Sequence, residues 1–226
     1  MKIIAAFEKR EGIAYTSHLD VQRTLQRTFR RANIPLAYSK GFNPHPKLSF
    51  ATALATGYTS SGEWFEVEVS EPIALETFVA RVNAAFPNGM RIVQAFVADA
   101  SIDTLSKLLR AACYTMELTF SEPVAPGTVH DAVSGLMAAD AIIVDKRTKS
   151  GIKPTDIRPD IMEVLVEDVS ENVAHVKVIG RLTASGGLRA ETIPLALSLR
   201  LGAEVRARIH RSDLYFEGCH RLPMLP

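Results

Sequence analysis

The chain has 226 residues, 47% of them hydrophobic, and its 26 lysines and arginines against 25 acids leave a net charge of +1 that by itself points to no partner. That length suffices for one large domain or two small ones with a real core. No apolar run reaches the roughly 18 to 20 residues that span a bilayer, Met1 to Glu8 meets charge too soon for a signal-peptide core, and Cys113 and Cys219 alone give no disulfide framework, so the cytoplasm is the expected compartment.

In chain order, residues 2 to 9 read as a strand. Ser17-His18-Leu19-Asp20 opens a helix that runs to about Asn33, where Pro35 stops it. Strands follow near 47 to 56 and from Trp64 to Val69, where Trp64, Glu66 and Glu68 alternate with Phe65, Val67 and Val69 as a half-buried strand should. A helix from Leu75 to Phe86 ends at Pro87-Asn88-Gly89, ahead of a strand from Met90 to Val97. The order β-α-β-β-α-β is that of a split βαβ, ferredoxin-like unit. After an expected linker from Asp99 to Ala111 the order returns, with strands at 114 to 120, 141 to 146, 161 to 166, 174 to 182 and from 205, and helices at 128 to 138 and 191 to 201. The expected fold is therefore α+β: two tandem ferredoxin-like halves with mostly antiparallel sheets, residues 1–99 and 112–226, without clear identity between them.

Three segments carry polar chemistry. On the first helix Val21, Leu25, Phe29 and Ala32 share one side, whereas Arg23, Arg27, Arg30 and Arg31 cluster on the other, with Asp20 the helix's one acid. Arginines with so few local partners favour an anion, phosphate foremost, because the guanidinium fork matches it. The loop Tyr38 to Lys47 sets His45 between Pro44 and Pro46, with Gly41, Phe42 and Asn43 before it and Lys40 and Lys47 toward its ends. Proline fixes φ and extends the residue before it, so this backbone is stiff while its polar groups stay presented. From Lys146 to Pro159, five cations including Lys149, Lys153 and Arg158 face one acid, Asp156, among Gly, Ser, Thr and Pro, the composition of an exposed basic loop. Tyr38, Phe42 and Tyr58 are aromatics able to stack on bases.

Tyr15-Thr16-Ser17-His18-Leu19-Asp20, Arg27 to Arg31, Pro35 to Ser39, Gly41-Phe42-Asn43-Pro44-His45-Pro46-Lys47 and Asp156-Ile157-Arg158-Pro159 together resemble the signature of a bacterial family, the radical SAM-linked protein or DUF2344, over essentially the whole chain. The resemblance implies a helper of a radical SAM protein encoded beside it or fused to it, acting on RNA or on a ribosomal component. A radical SAM cluster needs three closely spaced cysteine thiolates, and Cys113 and Cys219 stand apart, so this chain is not expected to be the radical enzyme.

The expected function is a non-catalytic accessory protein that binds RNA or a ribosome-related substrate and partners a radical SAM enzyme. The binding residues expected are Arg23, Arg27, Arg30, Arg31, Lys40, Phe42, Asn43, His45, Lys47, Lys149, Lys153 and Arg158. One alternative is an RNA-processing or RNA-modifying enzyme with His45, or His18 with Asp20, as acid or base. Against it, Ser17 and Asp20 have a simpler role at the start of a helix. Another alternative is a protein-only adaptor whose stiff loop docks on the radical enzyme. No metal or cofactor is expected, since no ligand pair has helical spacing and Gly186-Gly187 lacks the lysine that completes a phosphate loop.

Overall fold

The computed structural model describes residues 1–99, 101–148 and 151–225. Among them it has a mixed α/β architecture, mostly antiparallel sheet with five α-helices. The chain divides into two compact units, Met1–Leu109 with Asp213–Pro226, and Arg110–Ser212.

The first unit holds β1 (Lys2–Lys9), α1 (His18–Arg31), β2 (Leu48–Phe50), β3 (Thr59–Glu68), α2 (Leu75–Ala85), β4 (Met90–Val97) and a single turn, α3 (Leu105–Leu108). β1 pairs antiparallel with both β3 and β4, and β2 pairs with the far side of β3, so the order is β4-β1-β3-β2. α1 begins because the Ser17 hydroxyl accepts the Asp20 N–H at 3.2 Å, which satisfies one of the free amides of the first turn. It ends because Asn33 takes φ 51°, a left-handed conformation that asparagine tolerates. The Asn33 N–H then donates to Arg30 O at 3.2 Å and the Ile34 N–H to Phe29 O at 3.0 Å, the paired bonds of a Schellman stop. The apolar side of α1 lies with Phe7, Phe65 and Phe78 in the core, where Phe29 sits 5.9 Å from Phe65 and 6.0 Å from Phe78, ring centre to centre.

Two strands differ from expectation. β3 starts at Thr59 and is buried on both faces, not one. The side expected to face solvent carries Trp64, which packs at 6.3 Å from Phe96 and 6.0 Å from Phe216, so the returning C-terminal segment covers it. β2 is only three residues long. Beyond it the backbone leaves the sheet, and Gly57, at φ +89°, donates its N–H to Ala14 O at 2.9 Å beside the start of α1.

The second unit holds β5 (Leu109–Phe120), α4 (Pro126–Met137), β6 (Ile143–Thr148), β7 (Gly151–Asp156), β8 (Ile161–Ser170), β9 (Val173–Thr183), the two-residue β10 (Gly186–Gly187), α5 (Thr192–Leu201) and β11 (Val205–Phe216), whose last four residues belong to the first unit. β9 pairs antiparallel with β5 from Ala111 opposite Arg181 to Thr119 opposite Val173, and with β8 on its other side. With β11 beside β5, the order is β11-β5-β9-β8. The stretch from Asp99 to Ala111, expected as a linker, contains α3 and the first residues of β5, because Leu105 and Leu109 are fully buried. The basic stretch from Lys146 to Pro159, expected as a loop after a strand at 141 to 146, instead continues that strand into a two-stranded hairpin of β6 and β7. Gly151, at φ +120°, supplies the backbone freedom at its turn. The Asp156 carboxylate fixes its base by accepting the N–H of Ile142 at 2.8 Å and of Arg158 at 3.0 Å, so it shapes the segment through backbone bonds and not through an ion pair with Arg158.

Candidate nucleic-acid interface

The four arginines of α1 all reach solvent, but their side chains are not equally engaged. Arg23 lies 3.5 Å from the Asp20 carboxylate, one turn back. Arg31 donates to Ala85 O at 2.8 Å, which ties the end of α1 to the end of α2. Arg27 and Arg30 make no side-chain hydrogen bond or ion pair among the described residues, so their guanidinium groups face water with all donors available. The Asp20 carboxyl accepts the Ser17 hydroxyl at 2.7 Å, and this bond, with the nearby Arg23 charge, holds its pKa below the ordinary range despite an opposing desolvation effect. A carboxylate so held is a weak base, and its contacts are those of a helix cap.

His18 sits edge-on to Phe50, ring centres 5.0 Å apart, over a polar cluster that sequence reasoning did not find. Lys9 is 1% exposed, and its ammonium donates to Ala14 O at 2.7 Å and Thr16 O at 3.2 Å. With Glu63, which is also buried, it lines a small recess beside His18. A buried lysine is costly unless hydrogen-bonded, and here its bonds fasten the turn that leads into α1. The alternation of β1 gives no sign of this, since Lys9 reads as an ordinary polar strand end.

The loop from Ala37 to Lys47 is closed on itself. Tyr38 and Pro46 form an isolated antiparallel bridge. The Ser39 N–H donates to His45 O at 2.9 Å, the His45 N–H donates to the Ser39 hydroxyl at 3.1 Å, and the Lys47 N–H donates to Ala37 O at 2.9 Å. His45 Nδ1 shares a 2.9 Å hydrogen bond with the same hydroxyl, so the histidine acts as a clasp. Beyond the clasp, Lys40, Phe42, Asn43 and Pro44 are exposed, and Phe42 is bare at 105%. Lys47 pairs with Glu68 at 2.6 Å.

Two recesses flank this loop. One, of about 240 Å³, is lined by Lys2, His45, Lys47, Ser49, Glu66 and Glu68 among others. Its charges are matched internally, with Lys2 2.5 Å from Glu66 and the Ser49 hydroxyl donating to Glu66 at 2.7 Å. The other, of about 450 Å³, lies between α1 and the loop and is lined by Gln26, Arg30, Asn33, Ile34, Leu36, Tyr38, Pro44 and Pro46. It contains a cation and no acid. Two of the segments singled out in the sequence, the arginine helix and the proline-bracketed loop, thus meet around one cleft. Gln26, half-buried within α1, and Asn33, just past its end, had no sequence signal.

In the second unit Lys146 stands opposite Lys153 in the β6–β7 register. Like charges directly opposite each other are unfavourable, which leaves this hairpin receptive to an anion. Lys149 lies outside the described residues. Arg158 donates to Ile161 O and Met137 O, each at 3.1 Å, and so braces the base of the hairpin against the end of α4. Among the described residues no cluster of three or more metal-ligating side chains occurs, and no helix is long and apolar enough to cross a membrane.

A family model described as an uncharacterized protein conserved in bacteria (DUF2344) matches residues 2–188. A search of the curated proteins finds no match. Solved structures of similar fold include a Cbf5-Nop10-Gar1 complex, with a TM-score of 0.59 and 10% identity over 99% of this chain and 52% of that one. An archaeal box H/ACA sRNP Nop10-Cbf5 complex matches with a TM-score of 0.51 and 8% identity over 92% of this chain and 46% of that one. An H/ACA RNP bound to a substrate RNA containing 2'-deoxyuridine matches with a TM-score of 0.52 and 9% identity over 93% and 46%. This chain spans about half the length of the chains it matches. At such identities the likeness is one of fold.

Proposed function

The chain belongs to the DUF2344 family, and from that premise we propose that it is a non-catalytic accessory protein that binds RNA or a ribosome-related substrate. The observation that carries this is an acid-free cleft lined by Arg30 of α1 and by Tyr38, Pro44 and Pro46 of the self-closed loop, together with Arg27, whose exposed guanidinium, like that of Arg30, has no partner among the described residues, and with the exposed Lys40 and bare Phe42 of the same loop. Cations give affinity for a phosphate backbone, and an aromatic on a stiff support adds a stacking surface. The H/ACA RNP bound to a substrate RNA, among the solved structures of similar fold, lends this a second, weaker support. Arg23, Arg31, Asn43, His45, Lys47 and Arg158 then serve mainly to shape or brace the binding elements, while Lys153 on the hairpin, with Lys149 from the sequence, adds a further basic contact.

The two strand orders, β4-β1-β3-β2 and β11-β5-β9-β8, support taking each unit as a ferredoxin-like half in tandem. The resemblance to the radical SAM-linked group supplies the protein partner, a radical SAM enzyme that would carry the chemistry in the cytoplasm.

The test is fluorescence anisotropy of a short labelled RNA with the purified chain at several salt concentrations. Binding that weakens steeply as salt rises is expected, with log affinity falling by about 0.7 per log unit of salt for each phosphate neutralised on a single strand. Absence of binding at low salt would falsify the RNA function. Co-purification with the radical enzyme, with and without nuclease, tests the partnership: association that survives nuclease while RNA binding is absent favours a protein-only adaptor.

A further inference from the structure

The cleft between α1 and the loop joins three chemistries in a small space. Ile34, Leu36 and the two prolines give apolar surface, with Tyr38 at 52% exposure beside them. Gln26 and Asn33 bring two carboxamides, each with a donor and an acceptor suited to the hydrogen-bonding edge of a base. Arg30 brings a guanidinium group for a phosphate. Phe42, beyond the Ser39–His45 clasp, offers a whole ring to solvent on a backbone that does not have to be ordered on binding.

In an A-form duplex the bases are stacked on each other and paired along their Watson–Crick edges, so a protruding phenylalanine finds no free base face and a pair of carboxamides no free pairing edge. Unpaired nucleotides leave both faces and edges open. Resting on the RNA-binding function proposed above, we infer that the bound segment is single-stranded. One unpaired base occupies the cleft with its edge toward Gln26 and Asn33, Arg30 takes the adjoining phosphate, and a neighbouring base stacks on Phe42. The absence of any acid from both the cleft and the segment Tyr38–Lys47 favours this anionic occupant over an apolar socket on a protein.

The experiment compares the full chain binding to a short unstructured RNA and to a duplex of the same sequence at one salt concentration. The single strand is expected to bind more tightly, and Phe42→Ala to weaken it by about tenfold, the scale of one lost base stack, while leaving duplex binding unchanged. Because Phe42 is bare, this variant keeps its fold, which a thermal melt verifies. Asn33→Gly removes a carboxamide without straining the left-handed backbone at this position, and is expected to narrow the differences in affinity among oligo-A, oligo-C and oligo-U. Equal binding of single strand and duplex, insensitive to Phe42→Ala, overturns this inference and leaves RNA binding standing. Failure of both RNAs to bind at low salt overturns the broader function instead.

Discussion

The two units insert a basic segment at the same point in the same order of elements, between the first helix and the strand that follows it. In the first unit this is the stretch from Asn33 to Lys47, between α1 and β2; in the second it is the β6–β7 hairpin, between α4 and β8. They are stiffened by different means. The first relies on prolines and the Ser39–His45 clasp, whereas the second uses a backbone ladder from Ile143 opposite Asp156 to Thr148 opposite Gly151. The helices before them differ more. α1 carries four arginines, while α4, Pro-Gly-Thr-Val-His-Asp-Ala-Val-Ser-Gly-Leu-Met, has no lysine or arginine. A helix at this position therefore does not need cations to pack on its sheet, and the arginine face of α1 calls for an explanation other than folding.

If that explanation is RNA, charge reversal separates the two insertions. Arg27→Glu with Arg30→Glu is expected to lower RNA affinity by at least about tenfold and to flatten the salt dependence by roughly 0.7 for each arginine lost. Lys146→Glu with Lys153→Glu is expected to weaken binding less, since α1 and its loop add to their cations the cleft and the bare Phe42. Anisotropy titrations of both variants over a salt series make the comparison. Equal losses would put the hairpin on the same footing as α1, and a larger loss at the hairpin would reverse the assignment.

The starts of the two helices form a second contrast. α1 has the Ser17 cap, whereas α4 is preceded by Ala125, which offers no side-chain cap and is followed by Pro126. Ser17→Ala is expected to cost about 1 kcal/mol, and Ala125→Ser to stabilise by about 0.5 kcal/mol, because a serine hydroxyl can accept an otherwise unsatisfied amide of the first turn. Urea unfolding reads both. No change on Ser17→Ala would mean that Lys9, bonded to Ala14 and Thr16, holds this turn without the cap.

How much of this the sequence disclosed depended on whether a cause was local. The Ser17 cap, the amphipathic face of α1 and its stop before Pro35 depend on neighbours within a few residues, and all three were legible. The arginine face and the stiff loop could each be named from composition, but their meeting at one cleft depends on the Schellman turn at Asn33, which directs the chain back past the helix. Phe42 could be marked as an aromatic able to stack. Its complete exposure could not, because exposure depends on what fails to cover it. The second buried face of β3 was missed because its cover, Phe216 with Arg221 over Phe96, lies more than a hundred residues away in sequence. Lys9 was missed for the opposite reason: Ala14 O and Thr16 O, which accept from its ammonium, are only five and seven residues away, but backbone carbonyls leave no mark in a pattern of side chains.

The smallest effect concerns β11, whose first part, Val205–Ser212, belongs to the second unit and whose end, Asp213–Phe216, belongs to the first. In the first part charges lie at the surface, with Arg206 3.0 Å from Glu204 and Arg208 3.8 Å from Glu117. Exposed pairs of this kind contribute little, so Glu204→Gln should leave stability nearly unchanged at neutral pH. Asp213 is different. Burial pushes its carboxyl pKa above the ordinary value, against a smaller opposing effect of a backbone hydrogen bond involving Leu214. A carboxyl raised on folding binds its proton more tightly in the folded state than in the unfolded one. Its favourable contribution is complete below the ordinary aspartate value, where both states are protonated, and is lost as pH rises through the raised value. Asp213→Asn removes that loss. The variant should therefore be more stable than the parent at neutral pH by a small margin that grows from acid to neutral, and urea unfolding across this range would show it. A margin independent of pH would place the strain in the packing around the side chain and not in its charge.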